Sequence, residues 1–265
     1  MKKYFLLLLL FSILFVSCSN KDNTIEEEYT PIPYSLEVPE LFQQKLIAPL
    51  IPINNPLTEE GIALGKKLFF DKKLSKDNTQ SCASCHNPRN SFTDSLRFSL
   101  GVDGVPGSRN SMPLFNLAWN FNDKFAWDGK ELSLERQALE PVRNPIEMHS
   151  SWPNVALKLQ QDQEYPSMFL NAFGTEKIDS TLVTKAIAQF ERTLISGNTK
   201  FDQYLLGNTS LSQQELNGFT IFMSEDKGDC FHCHGSDNNP LWTDNDFHNN
   251  GLDTSFNDLG LGAVT

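Results

Sequence analysis

Two five-residue stretches of the sequence share one pattern: Cys82-Ala83-Ser84-Cys85-His86 and Cys230-Phe231-His232-Cys233-His234. The pattern C-x-x-C-H is the attachment signature of c-type haem. The two thiols add to the vinyl groups of the porphyrin, and the histidine that follows them gives a ring nitrogen to the iron as proximal ligand. The chain has five cysteines and five histidines, so one chance match has a probability of roughly 0.002. Two matches therefore predict two covalently bound haems.

Other uses of the cysteine pairs stay open at this point. An exported chain could join each pair in a disulfide. A thioredoxin-like redox pair is a second alternative, although the βαβ context that it requires is missing. A zinc site is a third, but the histidine directly after each pair would then be unexplained. Because the two motifs start far apart, at residues 82 and 230, each haem is expected to have its own domain.

The rest of the chain is helical in pattern. Thr58-Glu59-Glu60 begins a predicted helix with carboxylates in its first turn. Asp179-Ser180 begins another, whose apolar residues Val183, Ile187, Phe190 and Leu194 follow the helical period. Ser212 and Glu215 form a capping box before a third helix that is expected to bury Phe219 and Phe222. Since alternating strand patterns are absent, the sequence predicts a mainly α fold.

The first 40 residues have the features of an export signal and a spacer. Lys2 and Lys3 precede an apolar run over residues 4–16, which is too short to span a membrane and typical of a signal peptide. The stretch Phe15-Val16-Ser17-Cys18 resembles a bacterial lipobox, so residues 1–17 are predicted to be removed and Cys18 to be acylated. Simple secretory cleavage nearby is the alternative. Residues 18–40, which are polar and interrupted by prolines, are predicted to be a lipid-anchored tether.

The overall charge excludes one class of partner. The 265 residues include 22 Lys and Arg against 33 Asp and Glu, which gives a net charge of -11. Nucleic-acid binding needs clustered basic residues, so no nucleic acid is expected. Because of the signal peptide and the lipobox, the protein is predicted to be exported and periplasmic. It is predicted to be held at a membrane through its lipid anchor only.

Several further stretches carry a family resemblance: residues 64–71, Trp127-Asp128-Gly129, residues 134–138, Asn144-Pro145-Ile146-Glu147-Met148, and residues 247–253. Together with the haem motifs, they resemble the bacterial di-haem cytochrome c peroxidases, the group that includes MauG. The resemblance implies two cytochrome c-like, mainly α domains with a haem c in each. It assigns residues 41–200 to a peroxidatic haem domain and residues 201–265 to an electron-transfer haem domain.

The resemblance also implies residue roles. His86 and His234 would be the axial iron ligands of the first and second haem, Trp127 would lie between the haems, and Gln137 and Glu147 would act on the distal side of the first haem. By residue type alone, Trp127 could be a buried aromatic in a turn. On the same basis Gln137 could belong to a polar helix face, and Glu147 could be a surface carboxylate.

The sequence departs from the family pattern in two places. No histidine lies between His86 and His149, and Val102 occupies the loop from which many members supply a distal histidine, so the first haem is expected to be open on that side. The chain also stops at Thr265, before the segment that supplies the second axial ligand of the C-terminal haem and the calcium ligands. The C-terminal domain is therefore expected to be truncated. Calcium and a homodimer are compatible with the resemblance.

The function predicted from these features is reduction of hydrogen peroxide to water, with electrons from a small cytochrome c or cupredoxin. Two alternatives stay open. One is a MauG-like haem oxidase that acts on a protein or organic substrate, and the other is an electron-transfer cytochrome without peroxide chemistry.

Overall fold

The computed structural model describes residues 29–265, and this part of the chain is mainly helical. It contains isolated β-bridges and no β-strand. The predicted signal peptide and Cys18 lie outside the described residues. The α-helices are α1 Glu40–Lys45, α2 Glu59–Phe70, α3 Cys82–Cys85, α4 Leu134–Gln137, α5 Glu140–Arg143, α6 Trp152–Gln160, α7 Tyr165–Phe173, α8 Ser180–Arg192, α9 Lys200–Leu205, α10 Gln213–Phe222 and α11 Phe231–His234. Short 3₁₀ helices cover Lys72–Leu74, Pro88–Asn90, Leu117–Trp119 and Gly260–Ala263.

Helix α2 begins where the sequence predicts. The Thr58 hydroxyl caps it by accepting a hydrogen bond from the backbone N–H of Gly61 at 3.0 Å. Its apolar residues Leu64, Leu68 and Phe69 are completely buried. The helical spacing of these side chains places them on one face, which faces the core.

Helix α8 packs against α2 at very close range. A Cβ atom built on Gly65 of α2 would lie 1.9 Å from the carbonyl oxygen of Ala186, so only glycine permits this approach. The predicted cap of α8 is confirmed, because Asp179 accepts a hydrogen bond from the N–H of Leu182 at 2.9 Å. The helix ends at Arg192, however, so Leu194 lies beyond it. A tightened last turn, in which the N–H of Leu194 bonds to Glu191, ends the helix there.

The main core lies between α2, α6, α7 and α8, and the first cysteine motif borders it. Tyr165 and Phe169 of α7 are fully buried there. Cys82 and Ala83 of α3 pack against the same cluster. The first motif therefore borders the largest buried hydrophobic cluster of the described chain.

A second cluster joins the two ends of the described chain. Leu41 and Phe42 of α1 pack with the fully buried Trp119, whose indole N–H donates to the carbonyl of Ile47 at 3.2 Å. Leu205 and Leu241 cover the same cluster.

Residues 29–39 belong to the predicted tether, but they lie against the helical region. The N–H of Tyr34 bonds to Leu57, and the hydroxyl of Tyr29 donates to Ala172 at 2.6 Å. This part of the segment therefore differs from the solvated spacer that the sequence predicts. Its extended backbone leaves N–H and C=O groups free to pair with the residues before α2.

The C-terminal part, residues 201–265, is packed much less densely. Its predicted capping box is confirmed at the start of α10, where Ser212 and Glu215 bond reciprocally. The prediction that α10 buries Phe219 and Phe222 is wrong: both are half-buried against Trp242, with ring centroids 6.5 and 5.5 Å from that indole. Asp202 and Pro240 are the buried residues in this part of the chain. A domain boundary near residue 200 stays a prediction.

Candidate functional site

The first cysteine motif forms one turn of helix with two unpaired thiols. Ser81 and Ser84 form a capping box at the start of α3, which places Cys82 and Cys85 one turn apart. Both cysteines are free, as are Cys230 and Cys233, so the four motif cysteines form no disulfide. Burial raises the pKa of the Cys82 thiol to about 12 and that of Cys85 to about 11. These thiols are neutral and available for addition to another group.

The ring of His86 is fixed in one orientation by two backbone carbonyls. Its Nδ1 lies 2.9 Å from the oxygen of Phe92 and 2.9 Å from that of Met112. Both partners only accept hydrogen bonds, so Nδ1 carries the hydrogen and Nε2 keeps its lone pair. Burial lowers the pKa of the imidazole despite these hydrogen bonds, which keeps the ring neutral. This is the state that a histidine needs to bind a metal.

The second motif has the same residues and fewer fixed contacts. The Cys230 thiol donates to the carbonyl of Gly228 at 3.3 Å, and Cys233 is exposed. The His234 ring lies 6.3 Å from the Phe222 ring and forms no hydrogen bond within residues 29–265. His232 pairs with Asp229 at 2.6 Å on the surface.

One continuous cavity of about 1760 Å³ connects the two motifs. This volume exceeds the roughly 300–1,000 Å³ of a typical small-ligand pocket. Cys82, Cys85 and His86 line one part of it, and His234 lines another, whereas Cys230 and Cys233 do not line it. Trp127, Gln137 and Glu147 also line this cavity. The structure thus brings the predicted haem-binding and catalytic residues, except the second pair of thiols, to one space.

Trp127 lies on the wall of this cavity and is 41% exposed, so it is not the buried turn residue that its type alone would suggest. Its indole N–H donates to the carbonyl of Asn110 at 2.9 Å. The adjacent Asp128 accepts from Arg109 at 2.9 Å, and Arg109 also binds Asp258 with two nitrogens, at 2.6 and 2.7 Å. The bond to Asn110 orients the indole, and Arg109 links the neighbouring Asp128 to Asp258 near the end of the chain.

Glu147 is held by a short turn, with one carboxylate oxygen left free. The side chain of Asn144 donates to Oε1 of Glu147 at 2.7 Å. The backbone carbonyl of Glu147 accepts from the N–H of Val102 at 2.7 Å. Within the described residues Oε2 forms no hydrogen bond. Glu147 is exposed, but partial desolvation beside the cavity wall raises the pKa of this carboxyl, and the Asn144 bond partly opposes the shift. Gln137, the last residue of α4, is half-buried on the same cavity.

The loop with Val102 borders the cavity without a histidine. Gly101 of this loop lines the cavity, whereas His149 does not. His149 is on the surface, where its Nδ1 lies 2.5 Å from Asp103. No described group of three or more His, Cys, Asp or Glu side chains could bind a metal ion by itself.

Some residues of this site escape sequence reasoning. Asn144 belongs to a stretch that carries the family resemblance, but no motif predicts its bond to Glu147 or the bond of Asn110 to Trp127. Glu191 lines the cavity, is 4% exposed, and has an Oε2 without a hydrogen-bond partner among the described residues. The sequence alone could have indicated Glu191. It follows Ile187 by four positions, so its carboxylate lies on the apolar face of α8.

Comparison with known proteins identifies the family of the chain. The family model described as di-haem cytochrome c peroxidase matches residues 59–210. The chain belongs to the di-haem cytochrome c peroxidase family.

Several members of this family align with most of the chain. The methylamine utilization protein MauG of Methylorubrum extorquens is 43% identical over 215 residues, which are 80% of this chain and 58% of the relative. The cytochrome c peroxidase Ccp of Escherichia coli is 37% identical over 187 residues, 70% of this chain and 39% of the relative. A solved MauG-like protein associated with microbial copper homeostasis superposes with a TM-score of 0.70 at 32% identity, covering 77% of this chain and 59% of that one. The chain thus spans about six-tenths or less of the length of these relatives.

The residues present fit the haem groups that the family implies. Two neutral thiols one turn apart, beside a histidine with a free Nε2, are the donor set of a c-type haem, and the cavity provides space next to them. The second motif offers the same donor types. Over residues 29–265, none of the helices has the length and apolar character needed to cross a membrane.

Proposed function

We propose that this protein is a di-haem cytochrome c peroxidase, which reduces hydrogen peroxide to water with electrons from a small redox protein. The observation that carries the proposal is the single cavity that joins His86, Glu147 and Trp127 to His234. Cys82, Cys85 and His86 would hold the first haem, and Cys230, Cys233 and His234 the second. A bound haem c supplies a redox-active iron and a coordination position at which peroxide can bind.

Glu147 is proposed to move the proton that cleavage of the O–O bond requires. The bond breaks more easily when a proton moves from one peroxide oxygen to the departing one. Asn144 holds Oε1 at 2.7 Å, which leaves Oε2 to exchange that proton. Desolvation raises the pKa of this carboxyl, which makes it a stronger proton acceptor than an ordinary glutamate. Gln137, on the same cavity, would orient peroxide by hydrogen bonding.

Trp127 is proposed to carry electrons between the two haems. Its indole lines the cavity that contains both motif histidines. The bond to Asn110 fixes its orientation, and a fixed aromatic ring between two redox centres provides a path for electrons. Electrons from the donor protein would enter at the second haem.

The test of the proposed function is peroxide turnover with a reduced cytochrome c or cupredoxin as donor. Glu147→Gln keeps the shape and removes the titrating carboxyl. Turnover should fall by about 10² to 10⁴, the usual contribution of general acid–base catalysis, while both haems stay bound. Glu164→Gln is the matched control, because Glu164 is exposed and does not line the cavity. Turnover of Glu147→Gln within a few-fold of the parent would reject the assignment.

The oxidised protein is proposed to need no reductive activation. Val102 stands in the loop that bears the distal histidine in many relatives, and His149 is turned toward Asp103. No histidine is therefore expected to bind the iron of the first haem opposite His86, and turnover should begin without a preceding reduction. The electron paramagnetic resonance spectrum of the oxidised protein checks this, and a bis-histidine signal for the first haem would contradict it.

A second candidate function is a MauG-like oxidation of a protein or organic substrate. It is favoured by the 43% identity to MauG, against 37% for the E. coli peroxidase, and by the exposed edge of Trp127. Peroxide consumption that does not depend on an added redox protein, but does depend on an oxidisable substrate and on Trp127, would favour this function.

Export and anchoring belong to the same proposal. We place the protein in the periplasm, attached to a membrane through an acylated Cys18 and not through a spanning helix. Labelling cells with a radioactive fatty acid should mark the parent chain and leave a Cys18→Ser variant unlabelled. An unlabelled parent would indicate simple secretory cleavage instead.

A further inference from the structure

Glu191 is a buried acid for which the proposed reaction has no use. It belongs to the last turn of α8 and is 4% exposed. Its Oε2 has no hydrogen-bond partner among the described residues, although leaving a buried carboxyl oxygen unpaired is costly. A costly, unpaired acid on the apolar face of a core helix therefore indicates a functional role.

The neighbouring charges do not neutralise Glu191. Arg192 is the adjacent cation, but its two terminal nitrogens bind the carboxylate of Glu135 on α4, at 2.7 and 3.2 Å. Glu135 itself is held further by Asn55 at 2.7 Å. Glu191 is thus left outside this ion pair, with one positive and one negative group nearby.

The position of Glu191 links it to the first haem motif. Its side chain lines the cavity that Cys82 and His86 also line. Cys82 is close enough for the charge of Glu191 to contribute to the raised pKa of the Cys82 thiol. A group bound to Cys82 would therefore sense whether Glu191 is ionised.

We propose that protonation of Glu191 is coupled to reduction of the first haem, so that its carboxylate takes up one proton from solvent when the first haem gains one electron. Reduction removes one positive charge from the iron, which makes a nearby carboxylate less stable. The electron comes from the donor protein, or from a chemical reductant in a titration. Oxidation returns the proton to solvent, so charge and atoms balance.

The electrostatics of Glu191 support proton exchange at mildly alkaline pH. Burial raises the pKa of this carboxyl to about 8; Arg192 opposes the shift and Glu135 adds to it. Glu147 also lines the cavity, but its Oε1 is paired with Asn144 and its side chain is exposed. Because an ionised carboxylate favours the oxidised iron, the potential of the first haem should fall as pH rises.

The test is a spectroelectrochemical titration of the holoprotein between about pH 6 and about pH 9, on either side of the expected transition. Full coupling of one proton to one electron changes the reduction equilibrium tenfold per pH unit, about 59 mV. The parent should show a slope that approaches this value for one of its two haems. Glu191→Gln should remove most of the slope, whereas Glu147→Gln and the exposed control Glu164→Gln should retain it.

Three outcomes would overturn the proposal: a parent slope near zero, a slope that survives in Glu191→Gln, or a slope that is lost in Glu147→Gln instead. If Glu191→Gln does not bind haem, Glu191→Asp keeps a titrating group and should keep a slope, in a shifted pH range. Proton uptake by the parent during reduction in weak buffer gives an independent reading, and its absence also rejects the proposal. The proposal rests on the proposed attachment of haem at the first motif. The titration uses no peroxide, so the proton coupling can be refuted while peroxidase activity is retained. Equally, the coupling can be observed in a protein that lacks peroxidase activity.

Discussion

The two cysteine motifs have the same signature and very different surroundings. Cys82 borders the main core, and the ring of His86 is held by two carbonyls at 2.9 Å. Cys233 is exposed, and the ring of His234 forms no hydrogen bond within the described residues. Both motifs nevertheless form a short helix. The five residues therefore specify the spacing of the thiols, while the orientation of the histidine depends on the rest of the fold.

The partners of His86 show how this dependence arises. Phe92 is six residues away in the sequence, but Met112 is 26 residues away. A hydrogen bond to the second nitrogen of a metal-bound histidine fixes the tautomer and makes the ring a stronger ligand. The first haem should therefore have the more rigid proximal ligand.

The largest expected effect follows from removing the thiols of one motif at a time. Cys82→Ser/Cys85→Ser and Cys230→Ser/Cys233→Ser should each lower the intact mass by one haem, from two to one. Turnover should be abolished in both, since the proposed reaction uses both haems. Mass spectrometry after acid-acetone extraction measures the covalent haem, and a parent with fewer than two haem increments would contradict the assignment of both motifs.

The next effect concerns the backbone around Glu147. A Cβ on Gly101 would lie 1.8 Å from the carbonyl oxygen of Ile146, so Gly101→Ala must displace one of the two segments. A displacement of about 1 Å at a catalytic group can lower turnover by roughly 10². Gly107→Ala is the matched control, since its Cβ would meet nothing closer than 3.5 Å and its φ is not positive. Equal turnover in the two variants would show that Glu147 tolerates movement of its segment.

Stability should follow the difference in packing between the two regions. Leu68 is completely buried in the main core, and Leu68→Ala should lower the free energy of unfolding by about 2–5 kcal/mol. Phe219 is only half-buried in the C-terminal part, so Phe219→Ala should lower the free energy of unfolding by only about 1 kcal/mol. Denaturant unfolding of the holoprotein measures both. A larger loss for Phe219→Ala would reveal a tighter C-terminal core than the structure indicates.

The smallest effect is the acid response of α10. Lys200 lies 2.7 Å from both carboxylate oxygens of Glu215, and this pair together with the N–H of Ser212 lowers the pKa of Glu215 to about 2. In the unfolded chain the carboxyl titrates near about 4.3. Because the pKa is lower in the folded state, the stabilisation is complete above the unfolded-state pKa of about 4.3. It is lost as the pH falls toward 2.

Replacing Glu215 with glutamine should therefore flatten the pH dependence of unfolding at its acid end, without changing its dependence above pH 5. Circular dichroism of thermal unfolding between about pH 2 and about pH 6 measures this. An unchanged acid limb would mean that the pair contributes nothing measurable, as many exposed ion pairs do.

The features that the sequence predicted correctly are those that neighbouring residues determine. The starts of α2, α8 and α10 depend on a capping side chain and the N–H groups three residues later, so Thr58, Asp179 and Ser212 were sufficient to locate them. The grouping of Trp127 and Glu147 on one cavity came from the family resemblance, not from spacing alone.

Other features depend on segments that are far apart in the sequence. The half-burial of Phe219 follows from how little chain covers α10, which the apolar pattern of the helix cannot show. The unpaired state of Glu191 arises because Arg192 binds Glu135 on another helix. Arg109 reaches Asp258 across 149 positions, and no local pattern indicates such a partner.

The cluster around Trp119 also has a consequence for the order of folding. It unites Leu41 with Leu241, so α1 reaches its final partners only after nearly all of the described chain has been made. Closing so long a loop costs conformational entropy that only the completed cluster offsets. Helices α2 to α8 can assemble earlier, because the contacts that they make with one another lie within residues 59–192. Before the cluster closes, the first haem motif already has its core, while the segment before α2 is still unattached to Leu205 and Leu241. Attachment of the first haem could thus precede the final docking of α1.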